Sequence, residues 1–146
     1  GDAFNVIPQT AKLGGTVRTL DQKVRDLVKA RMRAICDGLA TMHGARITLD
    51  YHDGYPVTVN HASQTGFAAR VARDVSGNAA VDDEMVPTMG GEDFSYMLQA
   101  RPGAFIFIGN GDSAGLHHPA YNFNDDAIPA GMAYWVRLVE SAAPAA

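Results

Sequence analysis

Four side chains in the stretch from Met89 to Asp126 are of types that do chemistry. His117, in Leu116-His117-His118-Pro119, offers an imidazole on a loop stiffened by proline, and neutral imidazole is the commonest nitrogen donor to zinc. Ser113, in Gly111-Asp112-Ser113-Ala114-Gly115, has the GxSxG spacing of a nucleophile elbow, which belongs on a sharp turn from a strand into a helix. Glu92 and Asp93 follow Gly90-Gly91, either as acids opening a helix or as outer partners of a metal site.

The two chemistries differ in what else they need. A serine hydrolase of the α/β type needs an acid and then a histidine after the serine, and no histidine follows Asp125 or Asp126. Pro119 and the residues around it also do not continue as a helix. A serine esterase through Ser113, with His117 or His118 close by, stays open as an alternative. His118, beside His117, reads as structural or as an outer partner of the metal site, and His43, His52 and His61 sit at a helix end, in a hinge and near a cap.

The elements that must carry these residues show in the periodicity. Residues 1–8, with Phe4 and Val6 in alternation, and residues 13–19 read as two short strands joined as a hairpin. From Asp21 the period becomes helical: Val24, Leu27, Val28, Met32, Ile35, Leu39 and Met42 form one stripe. Asp21 as N-cap and Gly44 past the end bound a helix of about 22 residues, within which Cys36 is expected to be a buried thiol. Residues 45–51 alternate again. The first part is therefore expected to lay one helix on an antiparallel sheet.

His52 to Pro56 breaks the pattern and marks the expected domain boundary. Beyond it, Asn60 can cap a helix that ends at Gly77, residues 81–86 read as a short strand or extended piece, and a short helix runs from Glu92 or Asp93 to about Gln99. Residues 104–108, AFIFI, have the continuous apolar character of a strand buried on both faces, with Phe94, Phe105 and Phe107 as core. A last helix carries Ile128, Met132, Trp135, Leu138 and Val139, with Pro129 in its first turn, and the Ala/Pro tail from residue 142 is expected to fray. The fold class expected is α/β with an α+β lid portion: antiparallel strands plus one long helix, then part of an α/β domain.

The 12 basic and 16 acidic side chains leave a net charge of −4 with no basic run, which argues against a nucleic-acid partner. No apolar run nears the roughly 18 residues that span a bilayer, so a soluble, cytoplasmic chain without a membrane partner is expected. The single cysteine fits a reducing compartment.

Asn5-Val6-Ile7-Pro8, Gly15-Thr16-Val17-Arg18-Thr19, Gly90-Gly91-Glu92-Asp93-Phe94, Leu116-His117-His118-Pro119 and Phe123-Asn124-Asp125-Asp126 resemble, in order, the metal-dependent amidohydrolases of the aminoacylase/carboxypeptidase superfamily, in the branch of hippurate hydrolase and the indoleacetic-acid-amino-acid hydrolases. The resemblance implies a two-metal hydrolase of N-acyl or N-aroyl amino acids, with zinc, manganese or cobalt, acting as a homo-oligomer. It implies residues 1–56 as the second half of a lid or dimerisation domain and 57–146 as the C-terminal part of a catalytic domain. His117 then matches a metal ligand, Asn5 and Arg18 the pair that holds the substrate carboxylate, and Gly90, Gly91 and Glu92 the substrate loop. The family's Cys-Gly-His-Asp segment and Glu-Glu pair, with the other ligands and the general base, are not found, so the metal site is expected to be incomplete and the chain a truncated part. A dimerisation or substrate-binding module without activity of its own, associating through a sheet edge at residues 1–8, is the further alternative.

Overall fold

The computed structural model describes residues 3–143; Gly1 and Asp2 of the expected first strand, and residues 144–146 of the tail, lie outside them. The chain divides into two compact units, Gly1–Asp53 and Gly54–Ala146.

The first unit is built on helix α1, Gln22–His43. It starts where it does because the Asp21 carboxylate accepts hydrogen bonds from the backbone N–H groups of Lys23, at 2.7 Å, and Val24, at 3.1 Å, two donors that have no carbonyl within the helix. It ends at Gly44, whose φ of 59° is left-handed and closes the last turn onto the Ala40 and Thr41 carbonyls. The segment after it returns along α1 through charge: Asp53 pairs with Lys29 and with Arg25, and the Lys29 ammonium lies 5.0 Å from the centre of the Tyr51 ring. None of α1 is buried, and Cys36 is half-buried where a buried thiol was expected.

The second unit contains α2, Ala62–Ser76; a 3-10 turn, Asn78–Ala80; α3, Phe94–Ala100; and α4, Ala127–Ala142. Helices α2 and α4 pack together, and Ala68, Ala69, Val71, Leu98 and Tyr134 are its buried apolar side chains. Two adjacent alanines keep the α2 face shallow enough for a close neighbour. Ser95 is fully buried with its hydroxyl donating to the Glu92 carbonyl at 2.6 Å, so its burial leaves no unpaired group there. Phe94, Phe105 and Phe107 form a ring cluster with centroids 5.6 and 5.1 Å apart, although Phe107 stays exposed.

The α/β expectation is overturned. Among the described residues there is no β-strand and no sheet, so neither the antiparallel strands of the α+β portion nor the central strand of an α/β layer is present. Residues 3–6 form a turn instead of a strand, and residues 13–19, 45–51, 81–86 and 104–108 carry no ladder. The alternation was real but insufficient, because a strand is held only by a second strand facing its N–H and C=O groups. The side chains show the consequence: Phe4, Ile7 and Leu13 are more than nine-tenths exposed. The sheet edge expected at residues 1–8 is likewise missing.

Residues 104–108 find a different partner. Asn60, expected as a helix cap, bonds the backbone of Phe105 in both directions, and His61 bonds that of Gly103 in both directions at 3.1 and 3.2 Å. His61 takes the N-cap position of α2 without a side-chain cap bond.

Candidate functional site

The loop from Gly109 to Asp126 enters from residues 104–108 and leaves directly into α4. Its frame is Asn110. That carboxamide donates through Nδ2 to Ser113 Oγ, at 3.0 Å, and to the Asn122 carbonyl, at 2.9 Å, while Oδ1 accepts from the Asn124 backbone N–H at 2.7 Å. Gly111 follows with φ 75°, and a side chain there would meet Asn124 Nδ2 at 3.4 Å. Asn124 in turn accepts from the Asp126 N–H at 3.0 Å, and its carbonyl accepts from Ala127 N, also at 3.0 Å, so the loop runs into the first turn of α4.

His117 lies within this closed loop at φ 66°, the left-handed region, and among the described residues it is the only non-glycine residue there. Its exposed imidazole makes no hydrogen bond within them. His118 is used locally: its Nδ1 accepts from the Ala120 N–H at 3.0 Å and its carbonyl from the Tyr121 N–H at 2.9 Å. An open cleft of about 350 Å³ adjoins the loop, lined by Ile108, Asn110, Tyr121, Phe123, Met132 and Trp135 among others.

The remaining residues singled out from the sequence are spread over both units. Asn5 and Arg18 are exposed residues of the first unit; His117, Ser113, Gly90, Gly91 and Glu92 belong to the second. Neither Gly90 nor Gly91 takes a left-handed φ, so the backbone there does not itself demand glycine. Glu92 is half-buried, and its carbonyl starts α3 by accepting from Ser95 N at 3.2 Å as well as from the Ser95 hydroxyl. The Ser113 hydroxyl is spent on Asn110 and, as donor, on the Ala114 carbonyl at 3.2 Å. The residues after it form turns.

A tightly held divalent metal takes three or four protein donors. Among the described residues no group of three His, Cys, Asp or Glu side chains is close enough to hold one. His117 is a single donor, so these residues do not by themselves fit a metal centre. Sequence reasoning passed over Asn110 and read Asn60 only as a helix cap. The signal for Asn110 was its place between Gly109 and Gly111, where a short amide can reach its own loop, but Gly111 also opens the GxSxG pattern that Gly115 closes.

The model of peptidase family M20/M25/M40 matches residues 4–141. The chain belongs to peptidase family M20/M25/M40. Its curated relatives include the hippurate hydrolase of Campylobacter jejuni, 31% identical over 94% of this chain and 36% of that protein. They also include an N-acetyl-L-cysteine deacetylase of Bacillus subtilis, 35% identical over 88% of the chain and 30% of the relative. An IAA-amino acid hydrolase of Arabidopsis thaliana is 33% identical over 91% of the chain and 31% of the relative. This M20 chain thus spans about a third of the length of the curated relatives it matches. No solved structure matches it. No helix among the described residues is long and apolar enough to cross a membrane.

Proposed function

We propose that this M20 chain is part of an amidohydrolase that cleaves N-acyl or N-aroyl amino acids. Residues 1–56 serve as part of a lid or dimerisation domain and 57–146 as the C-terminal part of the catalytic domain. The observation that carries this reading is the family match over residues 4–141, which takes in every proposed site residue. It is supported by the relatives' names, since hippurate, N-acetyl-L-cysteine and IAA-amino acid conjugates are all N-acyl amino acids.

In this reading each residue of the chain has a limited task. Arg18 pairs with the substrate carboxylate, because a guanidinium meets a carboxylate with two parallel hydrogen bonds, and Asn5 adds a neutral donor. Gly90, Gly91 and Glu92 line the substrate. His117 offers one imidazole donor to a divalent ion, zinc, manganese or cobalt, whose role would be to polarise the scissile carbonyl and lower the pKa of bound water. The described residues do not complete that site, so the chain alone is expected to be weak or inactive as an amidase.

The test uses the purified chain, stripped of metal and resupplied with zinc, with hippurate and a short-chain ester as substrates. Zinc binding is expected to be weak and to disappear in His117→Ala. Binding of hippurate is expected to weaken about ten- to hundredfold in Arg18→Ala, the range set by loss of a charge-assisted hydrogen bond. Equal zinc affinity in wild type and His117→Ala would remove the metal role from His117. Ester cleavage that survives stripping but not Ser113→Ala would replace the amidohydrolase reading with the serine esterase.

One observation favours a second reading, a dimerisation or substrate-binding module without activity of its own. Five of the seven residues in the apolar stripe of α1, Val24, Leu27, Ile35, Leu39 and Met42, are exposed, from 40% to 68%, and Val28 and Met32 are half-buried. A stripe of that kind supports homo-oligomer formation through α1. Sedimentation equilibrium decides it: a dispersed monomer at tens of micromolar, unchanged in Leu27→Glu, would dismiss the module.

A further inference from the structure

We propose that Asn110 is a positioning residue: its carboxamide latches the loop that presents His117 and holds that histidine in its left-handed conformation. The functional relevance of the latch rests on the reading of His117 as a site residue; the latch itself stands on geometry. A primary carboxamide has two N–H donors and one carbonyl acceptor. Here both donors and the acceptor are engaged, reaching three, twelve and fourteen residues ahead to Ser113 Oγ, the Asn122 carbonyl and the Asn124 N–H. One side chain thereby joins the near arm of the loop to the far arm and leaves residues 114–121 as a closed excursion.

His117 sits inside that excursion at φ 66°. A β-carbon makes this region unfavourable, less so for histidine than for most residues, and a histidine is held there more firmly where bonds from its surroundings fix the loop. His117 is the third residue of the turn that the His118 N–H closes onto the Gly115 carbonyl at 3.1 Å, a position where a positive φ is accommodated, and a second turn, Tyr121 N–H to the His118 carbonyl, follows it; both restraints are local. The long-range restraint comes from Asn110, which lines the cleft beside α4. Neither close relative of asparagine can substitute fully. Aspartate keeps the acceptor for Asn124 but loses both donors, and glutamine places the amide one methylene too far.

This also gives Ser113 a task other than attack. Its hydroxyl accepts from an Asn110 N–H and donates its own O–H to the Ala114 carbonyl, which pins the turn at the mouth of the loop.

The experiment is solution NMR of the isotope-labelled full chain without added metal, reading amide exchange at Asn124 and the φ-dependent scalar couplings of His117. In wild type, Asn124 should exchange slowly and His117 should show a positive φ. Asn110→Ala should speed Asn124 exchange by about tenfold or more and move the His117 couplings toward an average over negative φ. The amides of Val71 and Leu98 should stay protected, showing that α2 and α3 remain folded. Asn110→Asp should restore slow exchange at Asn124 without restoring the His117 couplings, since only the Oδ1 bond returns. His117 couplings unchanged in either variant would overturn the proposal. Because no metal enters this measurement, failure of the zinc titration of His117→Ala would sink the metal role and leave the latch intact, and the reverse outcome is equally separable.

Discussion

Asn60 bonds both main-chain groups of Phe105: Nδ2 donates to its carbonyl and Oδ1 accepts from its N–H, each at 2.8 Å. The two residues are 45 apart in the chain. A side-chain amide here does what one residue of a neighbouring strand would do, and it ties residues 103–105 to the entry of α2.

Removing that amide should therefore loosen the second unit. Asn60→Ala deletes two hydrogen bonds worth about 0.5–1.5 kcal/mol each, so a loss of roughly 1–2 kcal/mol is expected after solvent takes part of the role. Asn60→Asp keeps the acceptor and loses the donor, and should fall between the two. Chemical denaturation followed by Trp135 fluorescence measures both, and an unchanged midpoint in Asn60→Ala would mean that the amide contributes nothing to holding residues 103–105.

The tether of α1 should fail in acid. The hydrogen bond from Lys29, opposed by desolvation and reinforced by the charges of Lys29, Arg25 and Arg33, holds the Asp53 carboxyl below its ordinary 3.8. A depressed carboxylate stabilises the fold above its unfolded value and loses that contribution as pH falls through the lower folded value. No change from this group is expected between pH 7 and about 4.5, and loosening of the first unit is expected below 3.8. Melting curves of wild type and Asp53→Asn from pH 2 to 7 should converge at the acid end and differ at neutral pH. Parallel curves would assign the acid loss to other carboxylates, such as Asp83 beside Arg73.

The start of α1 rests on one side chain. Asp21→Ala strands the Lys23 and Val24 N–H groups and should cost about 1 kcal/mol, whereas Asp21→Asn should cost less because its Oδ1 still accepts. Helical signal at 222 nm during thermal unfolding reads the difference, and identical curves for Asp21→Ala and wild type would show that water caps the helix as well as the carboxylate does.

What the sequence determined by itself was local or chemical. Asp21, Gly44, Gly77 and Pro129 mark helix ends that the structure keeps, because a helix satisfies its backbone within four residues and its boundary signals lie at its own termini. The types and order of residues around Gly90, His117 and Asp126 pointed to the metal-dependent amidohydrolases of the aminoacylase/carboxypeptidase superfamily, and the match to peptidase family M20/M25/M40 spans them. Only the tertiary structure decided what faced what. Alternation in residues 13–19 and the apolar run at 104–108 could not name a pairing partner, since a ladder is made between segments distant in sequence. The stripe of α1 predicted a buried face, yet burial depends on a second surface, and none of α1 is buried. Asn60 and Asn110 were legible only as turn or cap residues, because a carboxamide reaches whatever the fold brings within about 3 Å, and that neighbour is chosen by the path of the chain.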